Sequence, residues 1–360
     1  MSDVSTVLVT GGGTAGHVLP ALAIATALDE RGHRVHMVGS LRGIETRLFP
    51  ESGFDSTLLP GRGIARSLRP AKIVDNVGAV IGLVRAFLTA IGLVRRLRPS
   101  AVVAVGGYAS VACGLGAVLW RVPLVVHEQN AVPGAANRLL ARFAAASAVS
   151  FPDTPLPQAT VVGNPVRAEL FDRPHVVRSD GRRQVLVFGG SLGALSINRA
   201  TVAAAEQWAT RSDLAVHHVV GHRDWPTLER PTSVGALEYR AVEYEDDMPG
   251  QLAAADLVVC RAGSGTCFEL AATSRPAVII PSMVTTGGQQ IANAERVAAV
   301  GGAVVIRDDE LDGDRLVAVV DELLADPARL EQMAERMGTL ATPNAAATVA
   351  DLVERHGRRI

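Results

Sequence analysis

Three glycine-rich segments are the first places in the sequence where chemistry could take place. They occupy residues 11–16, 189–194 and 261–266, and each follows an apolar run and precedes a stretch with helical periodicity. Glycines at such a turn let the backbone approach a phosphate or a sugar closely, and the N-terminus of the next helix attracts an anion. A single loop of this kind could be no more than a tight turn. Three of them favour a ligand that carries a nucleotide.

Glu269 adds a carboxylate one turn into the helix that follows the third loop. A carboxylate there can accept hydrogen bonds from both hydroxyls of a ribose, although it could equally offset the partial positive charge of the helix N-terminus. The first loop fits GxGxxG, but the second strand ends Met37-Val38-Gly39-Ser40, without the acidic residue that binds the ribose of NAD. This disfavours a nicotinamide cofactor, and Arg42 leaves NADP formally open.

Composition excludes several other classes of protein. The chain has 360 residues, 48% of them hydrophobic and 20% charged, and its formal net charge of −1 gives no general attraction to nucleic acid. Cys113, Cys260 and Cys267 form no CxxC pair, so neither a disulfide framework nor a structural zinc site is expected. The first residues lack the pattern of a signal peptide, and we expect a cytoplasmic protein without a metal or an organic cofactor.

The elements that must position these groups alternate along the chain. Apolar runs rich in Val and Leu, separated by helical stretches, are typical of a parallel sheet with helices on both faces. Pro152, Pro155 and Pro157 mark a break, after which the pattern restarts. We therefore expect an α/β chain of two doubly wound domains, with the ligand in a cleft lined by the carboxyl ends of both sheets. The predicted strands are 7–10, 35–38, 56–59, 101–105, 124–126, 184–188, 216–220, 236–240, 257–259, 278–280 and 303–306, and the predicted helices include 17–31, 44–51, 71–97 and 196–210.

Several longer motifs together resemble one family. They are GGTAGH at 12–17, GGYAS at 106–110, HEQN at 127–130, GNPVR at 163–167, GGSLGA at 189–194, DDM at 246–248, RAG at 261–263, and the pair Gln289-Gln290 followed by Asn293-Ala294. With these motifs the sequence resembles the MurG family of bacterial N-acetylglucosaminyltransferases over most of its length. HEQN and GNPVR at these spacings are more specific than any glycine loop.

The resemblance implies a GT-B fold, in which two Rossmann-like domains face a central cleft. Residues 1–162 would bind the acceptor, residues 163–342 would bind UDP-GlcNAc, and a helix within 343–360 would return to the first domain. The family transfers GlcNAc to lipid I with inversion at the anomeric carbon and gives lipid II for peptidoglycan. We expect this to proceed without a metal, because Asp246-Asp247 look like the start of a helix rather than a metal-binding pair.

Inverting transfer needs a base near the acceptor hydroxyl, and His17 is the first candidate. Its usual pKa of about 6.5 suits proton removal at neutral pH, and a helix N-terminus would keep the ring neutral. His17 could instead only orient or cap the loop. Glu128 is the rival base, or it could orient Asn130.

The donor would be held by backbone N–H groups around residues 191–194, with Arg167 or Arg261 at the diphosphate. The resemblance assigns Glu269 to the ribose, and Gln289 or Gln290 together with Asn130 to the sugar hydroxyls. Arg167 could instead form an ion pair between the domains, and Gln290 could face solvent at a helix N-terminus. The further candidates for substrate contact are Thr14, Ala15, Gly16, Tyr108, Ser110, Ser191, Gly193, Ser264, Gly265 and Thr266.

The chain departs from the usual motifs of the family at several positions. Ala15 replaces a glycine, Leu192 replaces a glutamine, and Gly287 and Gly288 stand where an acidic residue and a basic residue or histidine usually precede the glutamine pair. Ala112 lies near the place of a usual proline, and one residue is inserted between Pro281 and Asn293. An enzyme that glycosylates another acceptor, such as a specialised metabolite, is therefore an alternative. A UDP-GlcNAc 2-epimerase and a non-catalytic cell-wall scaffold are two others.

Residues 62–98 indicate contact with a membrane. They contain eight basic residues against one acid, Asp75, and apolar residues recur among them at helical spacing. A basic, apolar surface suits anionic lipid headgroups, so we expect peripheral binding at the cytoplasmic face of the cell membrane. The helix could instead pack on the sheet with its arginines solvated. Arg85, at the centre of the longest apolar stretch, argues against a membrane-spanning helix.

Overall fold

The computed structural model describes residues 5–41, 43–60, 70–284 and 286–358, and it describes their side chains except at 70–81 and 286. Contacts divide the chain into two compact units. The first comprises Met1–Pro165 and Asn344–Ile360, and the second comprises Val166–Pro343. Each is built on one parallel sheet with helices on both faces, as the alternating sequence pattern predicts.

Seven parallel strands form the sheet of the first unit, in the order β3-β2-β1-β4-β5-β6-β7. The central strands are continuous apolar runs because helices cover both of their faces. Val7, Leu8 and Val9 of β1, for example, have no solvent exposure. The strands are β1 (Thr6–Gly11), β2 (Arg34–Ser40), β3 (Asp55–Leu59), β4 (Ala101–Gly106), β5 (Leu124–Glu128), β6 (Ala146–Val149) and β7 (Ala159–Val161).

Six helices bury the two faces of this sheet in separate hydrophobic cores. Three pack on one face, namely α1 (Ala15–Glu30), α2 (Glu45–Glu51) and α12 (Ala345–His356). The other three pack on the opposite face, namely α3 (Pro70–Leu97), α4 (Tyr108–Leu119) and α5 (Ala135–Leu140). Arg31, just after α1, ties α12 in place through Asp351 at 2.7 Å and Glu354 at 3.0 Å.

Six parallel strands form the sheet of the second unit, in the order β10-β9-β8-β11-β12-β13. Its main core lies between one face of the sheet and the helices α6, α10 and α11. The strands are β8 (Arg183–Phe188), β9 (Leu214–Val219), β10 (Glu238–Val242), β11 (Leu257–Cys260), β12 (Ala277–Ile279) and β13 (Ala303–Val305). The helices are α6 (Leu195–Gln207), α7 (Met248–Ala254), α8 (Ser264–Ala272), α9 (Gln289–Val300), α10 (Gly313–Leu324) and α11 (Pro327–Gly338).

The structure corrects the sequence prediction at a few elements. Strands β6 and β7 were not predicted, and β9 and β10 each begin two residues away from their predicted starts. Helix α6 ends at Gln207 and is followed by a separate 3₁₀ turn at Trp208–Thr210, where one continuous helix was expected. The segment 62–69 of the basic region, and Arg42, lie outside the described residues.

All three glycine loops lie where the sequence places them. The first joins β1 to α1, the second joins β8 to α6, and the third joins β11 to α8. Gly106-Gly107 form a fourth glycine turn, between β4 and α4. Within each unit these turns belong to neighbouring central strands, so their residues gather at the carboxyl edge of the sheet, where ligands of doubly wound sheets bind.

Candidate functional site

His17 occupies the first turn of α1, directly after the first glycine loop. Its Nδ1 lies 3.3 Å from the carbonyl oxygen of Gly12 and 3.1 Å from Oγ1 of Thr14. A carbonyl only accepts, so the contact with Gly12 places the proton of the neutral ring on Nδ1 and leaves the lone pair on Nε2. Burial lowers the pKa of His17, against the opposing effects of the Glu128 carboxylate, the Gly12 carbonyl and Glu45. The ring is therefore neutral near pH 7, as a general base must be.

The two glycines after β4 make room for this arrangement. A β-carbon placed on Gly106 would lie 2.6 Å from Cδ2 and 2.7 Å from Nε2 of His17. One on Gly107 would lie 2.6 Å from the carbonyl oxygen of Gly12. Both glycines have positive φ values, 133° and 84°, which L-residues with side chains rarely adopt. The two glycines of the GGYAS motif thus leave the space that the His17 ring and the Gly12 carbonyl group occupy.

Glu128 contacts Asn130, the residue that the second of its two predicted roles would have it orient. Its side chain is 1% exposed, and each carboxylate oxygen accepts two hydrogen bonds. Oε1 accepts from the backbone and side-chain nitrogens of Asn130, both at 3.0 Å, and Oε2 accepts from Gly134 N at 3.0 Å and Asn137 Nδ2 at 2.9 Å. A carboxylate occupied in this way orients Asn130 and the following loop, and it is a poor acceptor for a substrate proton. The prediction of Glu128 as a base is not supported.

The hydroxyl of Ser110, a predicted substrate contact, is occupied by partners within the first unit. It has no solvent exposure and lies between β1 and β4. It accepts from Thr10 Oγ1 at 2.8 Å and lies within hydrogen-bonding distance of the nitrogen and the carbonyl oxygen of Gly106. Ser110 therefore holds the end of β4 in place. Tyr108 also has a structural contact, because its hydroxyl donates to the carbonyl oxygen of Leu59 at 2.6 Å.

The second glycine loop leaves the start of α6 without a side-chain cap. Ala194 is the N-cap residue, has no acceptor to offer, and is not followed by an acid in the first turn. Ser191 is exposed, and Gly193 has a φ of 88° with the Val220 carbonyl oxygen close beneath it, so no larger residue fits there. Free N–H groups and a positive helix end facing solvent can bind an anionic group such as a diphosphate.

Helices α8 and α9 likewise begin without a side-chain cap, whereas three helices of the second unit are capped by an aspartate. Asp247, Asp312 and Asp326 cap α7, α10 and α11, each accepting a hydrogen bond from a backbone N–H of the first turn. The cap at Asp247 confirms that Asp246-Asp247 belong to a helix start. The described residues contain no group of three or more His, Cys, Asp or Glu side chains that could hold a metal ion.

Glu269 lies in α8, within reach of one cation. Its carboxylate is 3.8 Å from Nη2 of Arg167, and Nη1 of the same arginine lies 3.6 Å from the carboxylate of Glu169. Burial raises the pKa of Glu269, and Arg167 opposes that rise. The helix begins at Ser264, which is buried, while Gly265 and Thr266 are partly exposed. A β-carbon on Gly265 would meet no other atom within 4 Å, so there is open space beside the third loop.

Arg261 is less available than its position in the motif suggests. Its side chain is 14% exposed, and it forms an ion pair with Asp308 at 2.7 Å. It also donates to the Ile280 carbonyl oxygen at 3.1 Å and to Ser196 Oγ at 2.9 Å. Its charge is paired and both of its terminal nitrogens donate within the second unit, so Arg261 helps to fix the start of α6. Arg167, 40% exposed, is the better candidate for a diphosphate.

The glutamine pair opens α9 after two consecutive glycines with positive φ, Gly287 at 77° and Gly288 at 69°. Oε1 of Gln290 accepts from Ser282 N at 2.8 Å and thus fastens the preceding loop, while Gln289 is partly exposed. Asn293, fully buried, donates to the Ala262 carbonyl oxygen at 3.1 Å. This contact links α9 to the third glycine loop.

Sequence reasoning missed three residues that support these groups. Asn137 completes the shell of Glu128, Asp308 neutralises Arg261, and Glu45 binds the backbone of the first loop. None belongs to a motif quoted above. For Glu45 a signal existed, since Gly39 and Gly43 closely precede it, and a β-carbon on either glycine would clash with its side chain.

Comparison with known proteins gives a consistent result over both units. Residues 7–149 match the glycosyltransferase family 28 N-terminal domain, and residues 184–355 match the glycosyltransferase family 28 C-terminal domain. The crystal structure of Acinetobacter baumannii MurG is similar to this chain with a TM-score of 0.77 at 27% identity, and the match covers 98% of this chain and 99% of that one. Together with the two Rossmann-like sheets, this likeness confirms the predicted GT-B class.

Two curated relatives carry the same name, UDP-N-acetylglucosamine–N-acetylmuramyl-(pentapeptide) pyrophosphoryl-undecaprenol N-acetylglucosamine transferase. The one from Clavibacter sepedonicus is 42% identical over 364 residues, covering 96% of this chain and 95% of that protein. The one from Halothermothrix orenii is 34% identical over 364 residues, covering 96% of this chain and 97% of that protein. The chain therefore belongs to glycosyltransferase family 28 and, within it, to the MurG family whose motifs it carries.

Proposed function

We propose that this glycosyltransferase moves N-acetylglucosamine from UDP-N-acetylglucosamine to a lipid-linked N-acetylmuramyl pentapeptide, the step from lipid I to lipid II. The observation that carries the proposal is the match, along almost the entire chain, to proteins named for that activity. Such a transfer needs a base for the acceptor, a stabilised leaving diphosphate and a bound nucleoside. The residues described above are of the right types for all three.

His17 supplies the base. With its Nδ1 proton held by the Gly12 carbonyl, Nε2 takes the proton of the acceptor hydroxyl. As that O–H bond breaks, the oxygen attacks the anomeric carbon from the side opposite UDP. The bond from that carbon to the diphosphate oxygen breaks, and its electron pair leaves with UDP. One displacement of this kind inverts the anomeric configuration, and the base contributes about 10²- to 10⁴-fold to the rate.

Residues of the second unit hold the donor. The uncapped N–H groups at the start of α6, with Arg167, stabilise the negative charge that develops on the diphosphate. Glu269 accepts hydrogen bonds from the ribose hydroxyls, and Gln289 contacts the sugar. These assignments rest on geometry within the unit and on the family's motifs.

The direct test is transfer by the purified chain from UDP-GlcNAc to a soluble lipid I analogue, with the linkage of the product determined by NMR. We expect a β-linked disaccharide, and a fall in kcat of at least about 100-fold for His17→Ala with little change in the KM for UDP-GlcNAc. His36→Ala is the matched control, because His36 hydrogen-bonds Thr57 between β2 and β3 and not the first loop. Unchanged kcat in His17→Ala would contradict the role of the base.

Transfer to a different acceptor is the alternative that the experiment must exclude, because residues of the second unit depart from the family's usual motifs. Leu192 is 60% exposed in the second loop, and Gly287 and Gly288 leave the start of α9 without charged side chains. A panel of acceptors decides between the two. Transfer to a small aglycone but not to the lipid I analogue would overturn the proposal, and conversion of the donor alone to UDP-N-acetylmannosamine would indicate an epimerase instead.

We further propose that the first unit docks on anionic lipid through a basic-apolar face formed by α3, α4 and α5, which pack side by side. Large apolar side chains are exposed along it, namely Val84, Leu88, Leu119, Trp120, Leu139 and Phe143. Six exposed arginines accompany them, at positions 85, 95, 96, 121, 138 and 142. The guanidinium of Arg95 lies over the Trp120 ring at 5.2 Å. Glu128 is the only acid between residues 82 and 150, and it is buried.

This composition suits a surface that rests on a bilayer, since apolar side chains enter the headgroup region and each nearby arginine adds about 1 kcal/mol of attraction to anionic lipid. Among the described residues no helix is both long and apolar enough to pass through a membrane.

Vesicle co-sedimentation tests the docking. We expect the chain to pellet with vesicles that contain anionic lipid and to be released by salt, and Phe143→Ser with Leu88→Ser to weaken binding. Val177→Ser in the second unit, where Val177 is 76% exposed, is the matched control. Equal pelleting with neutral and anionic vesicles at low salt would contradict the electrostatic part.

A further inference from the structure

Glu45 is a buried carboxylate that the reaction above does not use. It is the first residue of α2, has no solvent exposure, and lies 32 positions away in sequence from the loop that it contacts. Burying a charge is costly unless hydrogen bonds or an opposite charge compensate for the lost water. The hydrogen bonds of Glu45 show which part of the fold it stabilises.

One oxygen of Glu45 binds two backbone N–H groups of the first unit. Oε1 accepts from Gly13 N at 2.9 Å and from Ser40 N at 3.1 Å. The surrounding backbone is shaped to admit it: a β-carbon on Gly12 would lie 2.6 Å from Oε1, and one on Gly39 would lie 2.8 Å from Cγ of Glu45. The carboxylate therefore clamps the first glycine loop to the end of β2.

The N–H of Gly13 and the carbonyl of Gly12 belong to the same peptide group. That group is planar and trans, so the N–H and the C=O point in opposite directions. Glu45 holds the N–H side, and the carbonyl on the other side meets Nδ1 of His17 at 3.3 Å. A peptide between two glycines, one with a φ of 89°, has little intrinsic preference for its orientation, so an external contact must set it.

We propose that Glu45 is a positioning residue for His17. Its carboxylate fixes the Gly12–Gly13 peptide so that the Gly12 carbonyl retains the Nδ1 proton and Nε2 stays free to act as the base. The proton from the acceptor goes to Nε2, and Glu45 itself neither gains nor loses one. This inference rests on the proposed role of His17.

The charge of Glu45 also acts on the base directly. The ionisable groups that affect His17 are Glu128 from the end of β5 and Glu45 from α2, and His17 in turn lowers the pKa of His127 on β5. Both carboxylates raise the pKa of His17. Replacing Glu45 with an uncharged residue therefore lowers that pKa, and the acidic limb of the pH profile moves to lower pH.

A purely structural role is the competing explanation, because an acid in the first turn of α2 also suits the helix dipole. Such a role predicts lower thermal stability and no specific effect on His17. The two explanations differ in what they predict for the tautomer of His17, for the pH profile and for a double mutant.

The experiment compares Glu45→Met, His17→Ala and the double variant. Methionine has a similar length but offers neither the Oε1 acceptor nor the charge, whereas glutamine would keep the acceptor. We expect Glu45→Met to lower kcat by about 10- to 100-fold, to leave the KM for UDP-GlcNAc unchanged and to move the acidic limb of kcat/KM to lower pH. In the His17→Ala background the same change should cost almost nothing further, because Glu45 acts through His17. Glu354→Met is the matched control, since it removes an anion from the contacts of Arg31 and His33 with α12, away from the loop.

A second readout does not depend on activity. The ¹⁵N shifts of selectively labelled histidine show which ring nitrogen carries the proton, and we expect His17 to lose its Nδ1–H form in Glu45→Met but not in Glu354→Met. If Glu45→Met does not fold, Glu45→Asp, which keeps the charge but shortens the reach of the acceptor, serves in its place. Fully additive losses in the double variant, or an unchanged tautomer, would overturn the inference even if His17→Ala alone is inactive. Full activity of His17→Ala would instead refute the proposed base.

Discussion

Residues whose polar atoms are bound by protein partners stabilise the site, and residues with an atom left over are the candidates for contact with substrate. Ser110, Glu128 and Arg261 were all predicted to act on substrate, and the structure surrounds each of them with protein partners. In His17 the Nε2 atom, and in Glu269 the carboxylate, stay available to a substrate. Sequence indicates which residue types meet at the end of a strand, but it does not show which of them neutralise each other. Glu45 was missed because its partner, Gly13, is a backbone group.

Replacing Glu269 should weaken donor binding. Loss of a charged acceptor for the ribose hydroxyls costs about 1.5–3 kcal/mol, so Glu269→Ala should raise the KM for UDP-GlcNAc by at least about 10-fold with kcat nearly unchanged. Steady-state kinetics measure this. Glu169→Ala is the control, because Glu169 is the other carboxylate beside Arg167 and is 49% exposed. An equal rise in KM in both variants would show that the effect acts through Arg167.

Replacing Ser110 should affect stability and not catalysis. In Ser110→Ala the backbone groups of Gly106 and the Thr10 hydroxyl lose a buried partner, which costs about 1–3 kcal/mol in the free energy of unfolding. Urea unfolding would record this loss. A change in the KM for either substrate without a loss of stability would support the prediction that Ser110 contacts substrate.

At the scale of elements, the sequence predicts the strands that helices cover on both faces of the sheet, and it misses strands that are short or exposed. Strands such as β1 and β4 are unbroken apolar runs because helices cover both faces of the sheet, and they were found with nearly correct bounds. Strand β7 is exposed along its length and β6 is short and rich in alanine, so neither carries a strand pattern. Both are stabilised mainly by the strands beside them.

The way in which each helix begins gives a prediction at this scale. Asp312 accepts a hydrogen bond from Arg315 N at 2.7 Å and caps α10, whose apolar face packs in the core of the second unit. Asp312→Ala should lower the free energy of unfolding by about 1 kcal/mol and leave both KM values unchanged. Thermal unfolding and kinetics on the same preparation check it. A stability equal to that of the wild type would show that the cap is replaced by water.

For the whole molecule, buried histidines set the response to acid. Burial lowers the pKa of His127 in the first unit to about 4 and that of His218 in the second unit to about 3. His218 accepts from the Tyr239 hydroxyl and donates to Asn198 Oδ1, an arrangement that a protonated ring cannot keep. His17, His36, His175 and His217 are shifted in the same direction.

These lowered pKa values determine how the stability of the fold changes with pH. Below a pH of about 6.5 the unfolded chain binds protons that the folded chain refuses, so stability is greatest above that pH and falls as the solution becomes more acidic. Each fully suppressed histidine contributes about 2 kcal/mol of loss between pH 6.5 and about pH 5. Unfolding midpoints across this range should fall, and His218→Gln should make the fall shallower. A midpoint that is constant from pH 7 to pH 5 would contradict the neutral state of these rings.

The position of α12 in the chain has a consequence for how the protein is made. This helix completes the first unit, where Val349, Leu352 and Val353 are buried with residues of α1 and the sheet, yet all of Val166–Pro343 is synthesised before it. The second unit is contiguous and can finish folding while translation continues. The N-terminal unit cannot complete its core until α12 has been synthesised, and until then the apolar surface that α12 covers is exposed. A nascent chain that stalls before α12 would therefore be bound by chaperones and would not contain a folded first unit.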